Sequence, residues 1–297
     1  MSIYDQIGKN RAKTVFYITL FLLFIIGLGW LFAYIYGEPA ILIIAVVIAV
    51  TQALASYWWG DSIALSLSHA QAVKREENKE LYRIVENLAI TAGLPEPKIF
   101  IIPDEAPNAF ATGRDPQHAS LAVTAGLLEI LDRKELEGVI SHELSHIGNR
   151  DSLLMVVIVV LVGVVAIASN LFFRVGFWGG FGRSRDNNSG SNGIILIIGL
   201  ILAILAPIAA TLIQLAISRK REFMADANGA LLTRYPEGLA NALRKISGYS
   251  RPMRFANDAT ALLYITNPTK KRSWFAGLFD THPPVEERIK ALGAMAE

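Results

Sequence analysis

His142, Glu143 and His146 stand in the order His-Glu-x-x-His, within Ser141-His142-Glu143-Leu144-Ser145-His146. On a helix, residues four apart share a face, so two imidazoles at this spacing can aim at one point. Glu143 lies beside them, where its carboxylate can take a proton from water activated at a metal. The spacing therefore predicts a zinc site with hydrolytic chemistry, provided that a third ligand exists. A catalytic zinc takes three protein ligands and keeps one position open. Glu222, in Arg221-Glu222-Phe223-Met224-Ala225-Asp226, is the residue that fills that need. Asp226 follows one helical turn later on the same face, placed to accept the free N–H of a ligating histidine, which fixes its tautomer. One zinc ion per chain is the expectation.

The helix that must carry the first motif has its own start signal. Asp132 is a plausible N-cap and Glu135, three residues on, its capping-box partner. The run Leu127–Ile140 mixes apolar and charged residues at helical spacing. Upstream, Leu81, Ile84, Val85 and Leu88 space out an amphipathic helix over about His69–Ala92, with Gly93 as its stop. Lys98–Ile102 reads as a strand between Pro97 and Pro103, and Ala119–Val123 as a second. Between them, Asn108, Ala109, Phe110 and Ala111 alternate large and small side chains, as an edge strand does that adds an extended substrate to its sheet. Further helices are expected at Glu222–Leu232, Pro236–Gly248 and Pro283–Met295.

Composition points to a membrane. The hydrophobic share is 53% and mean hydropathy is +0.39, above the soluble range. Four uncharged runs, Val15–Tyr36, Ala40–Gly60, Leu153–Phe173 and Ile194–Ile217, each reach the length of about 20 residues that a bilayer requires. Aromatic residues gather at several ends, among them Tyr57, Trp58 and Trp59. Lys9, Arg11 and Lys13 precede the first run, which holds the N-terminus in the cytoplasm. The segment Asp61–Asp151 carries nine Lys and Arg and the tail Ser218–Glu297 thirteen, so both halves of the metal site face the cytoplasm. The organisation that follows is a membrane hairpin over 1–60, a first protease piece over 61–152, a second hairpin over 153–217 with a flexible loop at 176–193, and a second protease piece over 218–297. His146 and Glu222 lie seven and five residues from the nearer apolar runs, so the ligands should ride on the same helices that enter the bilayer. A net charge of +2 gives no reason to expect a nucleic-acid partner, and no cysteine is present to form a disulfide.

Read as a whole, the chain resembles the HtpX family of bacterial membrane zinc peptidases, related to the Ste24 CAAX-prenyl peptidases. The resemblance rests on Asn108–Gly113, Gly113–Ala119, Thr124–Asp151, Arg221–Asp226 and Thr281–Ile289 and covers essentially the full length. It implies a mainly α membrane protein: four apolar helices with a cytoplasmic zincin-like α+β metalloprotease domain and a small sheet. It also implies nucleotide-independent endopeptidase activity, a place in the bacterial inner membrane, and a role in membrane-protein quality control under stress. His282, in Thr281-His282-Pro283-Pro284, gains from it a catalytic role as a donor to the oxyanion of the tetrahedral intermediate. Arg288 then either orients His282, meets a carboxylate, or is a plain surface charge. Expected partners are the bilayer and membrane proteins with extended segments close to it. The alternatives are a site-2-type intramembrane protease, a transporter, and a catalytically weak scaffold or chaperone that retains a zinc site. Charges flanking the motif (Arg133, Lys134, Glu135, Arg150, Asp151) argue against the first, uncharged apolar runs against the second, and Glu143 against the third.

Overall fold

The computed structural model describes residues 3–160, 219–255, 260–268 and 283–295. Two long helices open the chain, α1 (Ile3–Tyr36) and α2 (Ala40–Leu67). Both are long and apolar enough to cross a membrane, by length and composition. They form a hairpin through Gly37, whose φ of +68° is the left-handed turn glycine permits. The second run thus continues as helix beyond Gly60 to Leu67. The remainder of the third apolar run, the fourth run and the loop at 176–193 lie outside the described residues.

A four-stranded mixed sheet follows: β1 (Gln71–Ala72), β2 (Lys98–Ile102), β3 (Ala109–Gly113) and β4 (Ala119–Thr124), in the order β1-β2-β4-β3. β2 runs parallel to β4; β1 and β3 run antiparallel to their neighbours. α3 (Lys79–Ala92) covers it, capped by the Asn78 side chain on the Leu81 N–H and ended by Gly93. The helix expected from His69 therefore begins ten residues late. Gln71 and Ala72 instead pair with Ile101 and Phe100 at the edge of β2, and sheet pairing overrides a locally helix-compatible stretch.

Alternation along the strands sends side chains to two cores. Ile99, Ala109, Ala111, Leu121 and Val123 pack on α3 and on the helix of the first motif. Ile102, Phe110 and Ala122 face the other way, joining Tyr17 of α1 and Ala64 and Leu65 of α2. The sheet thus sits between the helix of the first motif and the apolar hairpin, and Arg114 adds a guanidinium 4.9 Å over the Trp58 ring of α2.

After α4 (Ala125–Ile130) comes α5 (Arg133–Gly148), which bears the first motif. Its capping box forms as expected: Asp132 Oδ1 accepts from Glu135 N at 3.0 Å, and Glu135 Oε2 from Asp132 N at 2.8 Å. α5 does not continue into the third apolar run. It stops at Asn149, Arg150 takes a φ of +58°, and a new helix α6 is described over Asp151–Val160. α6 is buried against α1, α2 and the sheet. The last helices are α7 (Arg219–Thr233), α8 (Pro236–Gly248) and α9 (Val285–Gly293). α5 packs on α7 and α8 at very short range. A Cβ on Gly138 would lie 2.6 Å from Leu239 N, so that crossing needs glycine, and one on Gly229 would lie 3.0 Å from His142 N, a tight fit.

Candidate metal centre

α5 and α7 cross so that His142, His146 and Glu222 converge. One ligand atom from each lies within 4.8 Å of the others, and all three residues are buried. The two Nε2 atoms are 3.2 Å apart, with the rings nearly perpendicular. Glu222 Oε2 lies 3.8 Å from His142 Nε2, and its Oε1 lies 3.6 Å from His146 Nε2. The Nδ1 atoms point the other way, each onto a carboxylate. His142 Nδ1 is 2.9 Å from Asp226 Oδ1, and His146 Nδ1 is 3.2 Å from Asp151 Oδ2. A carboxylate on Nδ1 holds a proton there and turns Nε2 toward its neighbours.

Glu143 sits between this cluster and the sheet. It is buried, and the Ala111 backbone N–H of β3 donates to its carboxylate. Arg288 of α9 is fully buried and binds Asp226 through two hydrogen bonds, Nε to Oδ2 at 2.8 Å and Nη2 to Oδ1 at 2.6 Å. It also donates to the Ile265 carbonyl at 3.1 Å. Of the readings open for Arg288, the geometry is that of a cation held on a carboxylate. His282 lies outside the described residues.

The electrostatics follow from burial and from these partners. Desolvation and the nearby Glu222 carboxylate push Glu143 up to about 7, against the pull of His146, the Ala111 N–H and Arg288. Burial lowers His142 to about 4, and Asp226 does not fully offset it. Burial also works against a charge on His146, but the Asp151 hydrogen bond and Glu222 outweigh it and raise that group to about 9. Asp226 is held down at about 2 because Arg288 overcomes its desolvation. His142 is therefore neutral and His146 charged, which places one proton between the two Nε2 atoms, where a metal would displace it. A buried cluster of two imidazole nitrogens and a carboxylate calls for a positive charge at its centre, and a divalent cation with N and O preferences supplies it. The donor set thus fits zinc.

The expected substrate strand is at the sheet edge among the described residues, since β3 pairs only with β4. Its side chains are not available to a ligand. Phe110 is buried against Tyr264, and the Asn108 amide donates to the Thr266 carbonyl at 3.0 Å. Ile265 N donates to Ala109 O at 2.9 Å, as a neighbouring strand would. Tyr264 and Ile265 also close the cavity beside Glu143, which has a volume of about 10 Å³, room for about one water molecule.

Sequence reasoning missed three features. Asp151 reads as one of several flanking charges, and its only signal is a carboxylate five residues after His146. Asn10 lies in the N-terminal helix far from any motif, yet its amide donates to Asp151 Oδ1 at 2.6 Å. Tyr264 and Ile265 carry no sequence signal of a covering role. His118 and His69 stand apart from the cluster: His118 Nδ1 meets Asp115 at 2.7 Å, and His69 packs on Phe255.

Comparison with known proteins gives a consistent result. A model of peptidase family M48 matches residues 75–296. The chain is 45% identical over 297 residues to a protease HtpX homolog of Caldanaerobacter subterraneus, covering 99% of this chain and 98% of that one. It is 45% identical to a protease HtpX homolog of Lactobacillus acidophilus, covering 99% and 100%, and 46% identical to that of Dictyoglomus turgidum, covering 99% and 95%. Among solved structures, Ste24p of S. mikatae matches with a TM-score of 0.52 at 20% identity, over 94% of this chain and 66% of that one, which is a likeness of fold.

Proposed function

The chain belongs to peptidase family M48, among the HtpX-type proteases, and from that membership and the site geometry we propose a membrane-anchored zinc endopeptidase. The observation that carries the proposal is the convergence of His142, His146 and Glu222 within 4.8 Å, beside a buried Glu143. His142, His146 and Glu222 would hold a zinc ion, which would supply Lewis acidity for the scissile carbonyl and for a water molecule. Glu143, buried beside the cluster, would take the proton of that water and return it to the leaving amine. Asp226 orients His142, and Arg288 keeps Asp226 ionised.

The substrate is an extended segment of a misfolded or damaged membrane protein. Two features support that class. The backbone edge of β3 next to Glu143 suits strand addition, and the sheet is packed against two helices that are apolar enough to enter a bilayer. Ile265 already donates to Ala109 O, so the substrate strand must displace the segment around Tyr264 and Ile265 as it enters. We place the catalytic side in the cytoplasm of a bacterial inner membrane, following the distribution of Lys and Arg. The chain is thus read as a 1–60 anchor, a protease domain split between 61–152 and 218–297, and a second apolar hairpin between the two pieces. His282 is assigned as a donor to the oxyanion. The test is metal dependence in the purified full chain: a chelator should abolish cleavage of an unfolded membrane-protein substrate, and one equivalent of zinc should restore it. Undiminished cleavage after complete metal removal would exclude a metallopeptidase. A zinc-loaded chain that cleaves no extended peptide would favour a scaffold.

A further inference from the structure

Asp151 is positioned unlike any of the other charges that flank the motif. It is fully buried, as are Asn10 at 1% and Arg221 at 2% exposure. One carboxylate oxygen, Oδ2, meets His146 Nδ1 at 3.2 Å. The other, Oδ1, accepts from the Asn10 amide of α1 at 2.6 Å and lies 3.7 Å from Arg221 Nε. The same Asn10 amide donates to the Asn149 carbonyl at 3.0 Å, so it also holds the two-residue break between α5 and α6. Three separate segments thus meet on one carboxylate: the first apolar helix, the helix of the third ligand, and the end of the motif helix. Geometrically Asp151 does for His146 what Asp226 does for His142, and Asn10 and Arg221 stand where Arg288 stands.

We infer that Asp151 is the positioning residue of His146, and that Asn10 makes the first apolar helix a structural part of the metal centre. This inference rests on the zinc reading of the site. A ligating imidazole needs its other nitrogen held, since the partner fixes both tautomer and ring orientation, and loss of such a partner weakens metal binding by about 10–100-fold. A helix break with Arg150 at φ +58° gives Asp151 its angle of approach, because an unbroken helix would carry residue 151 away from residue 146 on the opposite side. The anchor is therefore more than a tether. Its amide, two turns or so from the cytoplasmic end of α1, sets the second hydrogen bond of the carboxylate that orients a ligand.

The experiment measures zinc affinity by chelator competition, and the visible spectrum of the cobalt-substituted protein, on the full chain in detergent. Asp151→Ala should weaken zinc binding by about 10–100-fold. Asp151→Asn keeps size and hydrogen-bonding capacity but loses the charge, and should weaken it less, with a shifted cobalt spectrum. Asn10→Ala should weaken it several-fold, and the Asn10→Ala/Asp151→Ala pair should lose less than the sum of the two single losses, because the two residues share one carboxylate contact. Should Asp151→Ala fail to fold, Asp151→Asn carries the test. Wild-type zinc affinity and spectrum in Asp151→Asn and Asp151→Ala would overturn the role of Asp151. A weakened Asp151→Ala with an unchanged Asn10→Ala would overturn the part assigned to α1. If the wild type itself binds no zinc, the metallopeptidase reading fails first, and that outcome is distinct from either.

Discussion

At the scale of single residues, the site is a set of donors whose second atoms are all spoken for. His142 and His146 offer Nε2 because Asp226 and Asp151 occupy Nδ1. Arg288 is the clearest test of this layer, because it is fully buried and its partner is Asp226. Arg288→Met leaves a buried carboxylate without its cation, and should cost about 3–5 kcal/mol of stability. Adding Asp226→Asn to that variant should recover part of the loss in thermal unfolding, since the uncompensated charge is then gone. The pH dependence of metal binding follows from the same contacts. His146 is raised to about 9, so below that pH a proton occupies the nitrogen that the metal needs. Protons compete with metal, so affinity falls as pH falls. Between pH 7 and 9 zinc affinity should rise about tenfold per unit. Below about 7 the slope should steepen, because Glu143 is then protonated too and gives up its proton near a dication. A flat profile between 7 and 9, measured by competition with a chelator of known proton affinity, would contradict the placement of that proton. The i, i+4 histidines were legible in sequence because helical spacing alone puts them on one face. Asp151 was not, since a carboxylate that follows a helix break has no fixed direction until the break is known.

At the scale of elements, the centre depends on how closely α5 is approached. Gly138 and Gly229 let α8 and α7 lie against it at backbone distance. Gly138→Ala puts a methyl 2.6 Å from Leu239 N, a backbone atom that cannot swing aside. The substitution should destabilise the protein by about 1–3 kcal/mol, read as a lower unfolding temperature. A neutral or stabilising effect would mean that α8 is free to shift. Much of this layer was readable. The capping box at Asp132, the strands at 98–102 and near 119, and the helix at Pro236–Gly248 follow from caps, prolines and apolar spacing. What failed was long-range pairing. Residues near Gln71 look helical locally, yet the open edge of β2 recruits them. The end of α5 failed for a similar reason: no proline marks it, and the Asn149 carbonyl just past Gly148 is held by Asn10 from across on α1. The cover formed by Tyr264 and Ile265 on β3 also depends on contacts between distant segments, which no local pattern encodes.

At the scale of the whole molecule, the apolar hairpin and the sheet share one core, with Tyr17, Ala64 and Leu65 packed among Phe110, Ala122 and Tyr264. The proposal that the catalytic side is cytoplasmic can be read with a single thiol, because the chain has no cysteine of its own. Ser247 is exposed on α8. Ser247→Cys should stay unlabelled when an impermeant reagent is added to intact cells, and should react after the membrane is opened. Labelling in intact cells would reverse the orientation. The central claim is that these helices hold a zinc-dependent peptidase with Glu143 as its proton carrier. The most direct measurement compares purified wild-type and Glu143→Gln protein, side by side, for bound zinc and for cleavage of an unfolded peptide. A neutral amide of the same shape leaves His142, His146 and Glu222 in place but accepts no proton. Both proteins should carry one zinc per chain, and the variant should cleave at least about 100-fold more slowly. Cleavage by Glu143→Gln at the wild-type rate, with zinc bound, would contradict the account.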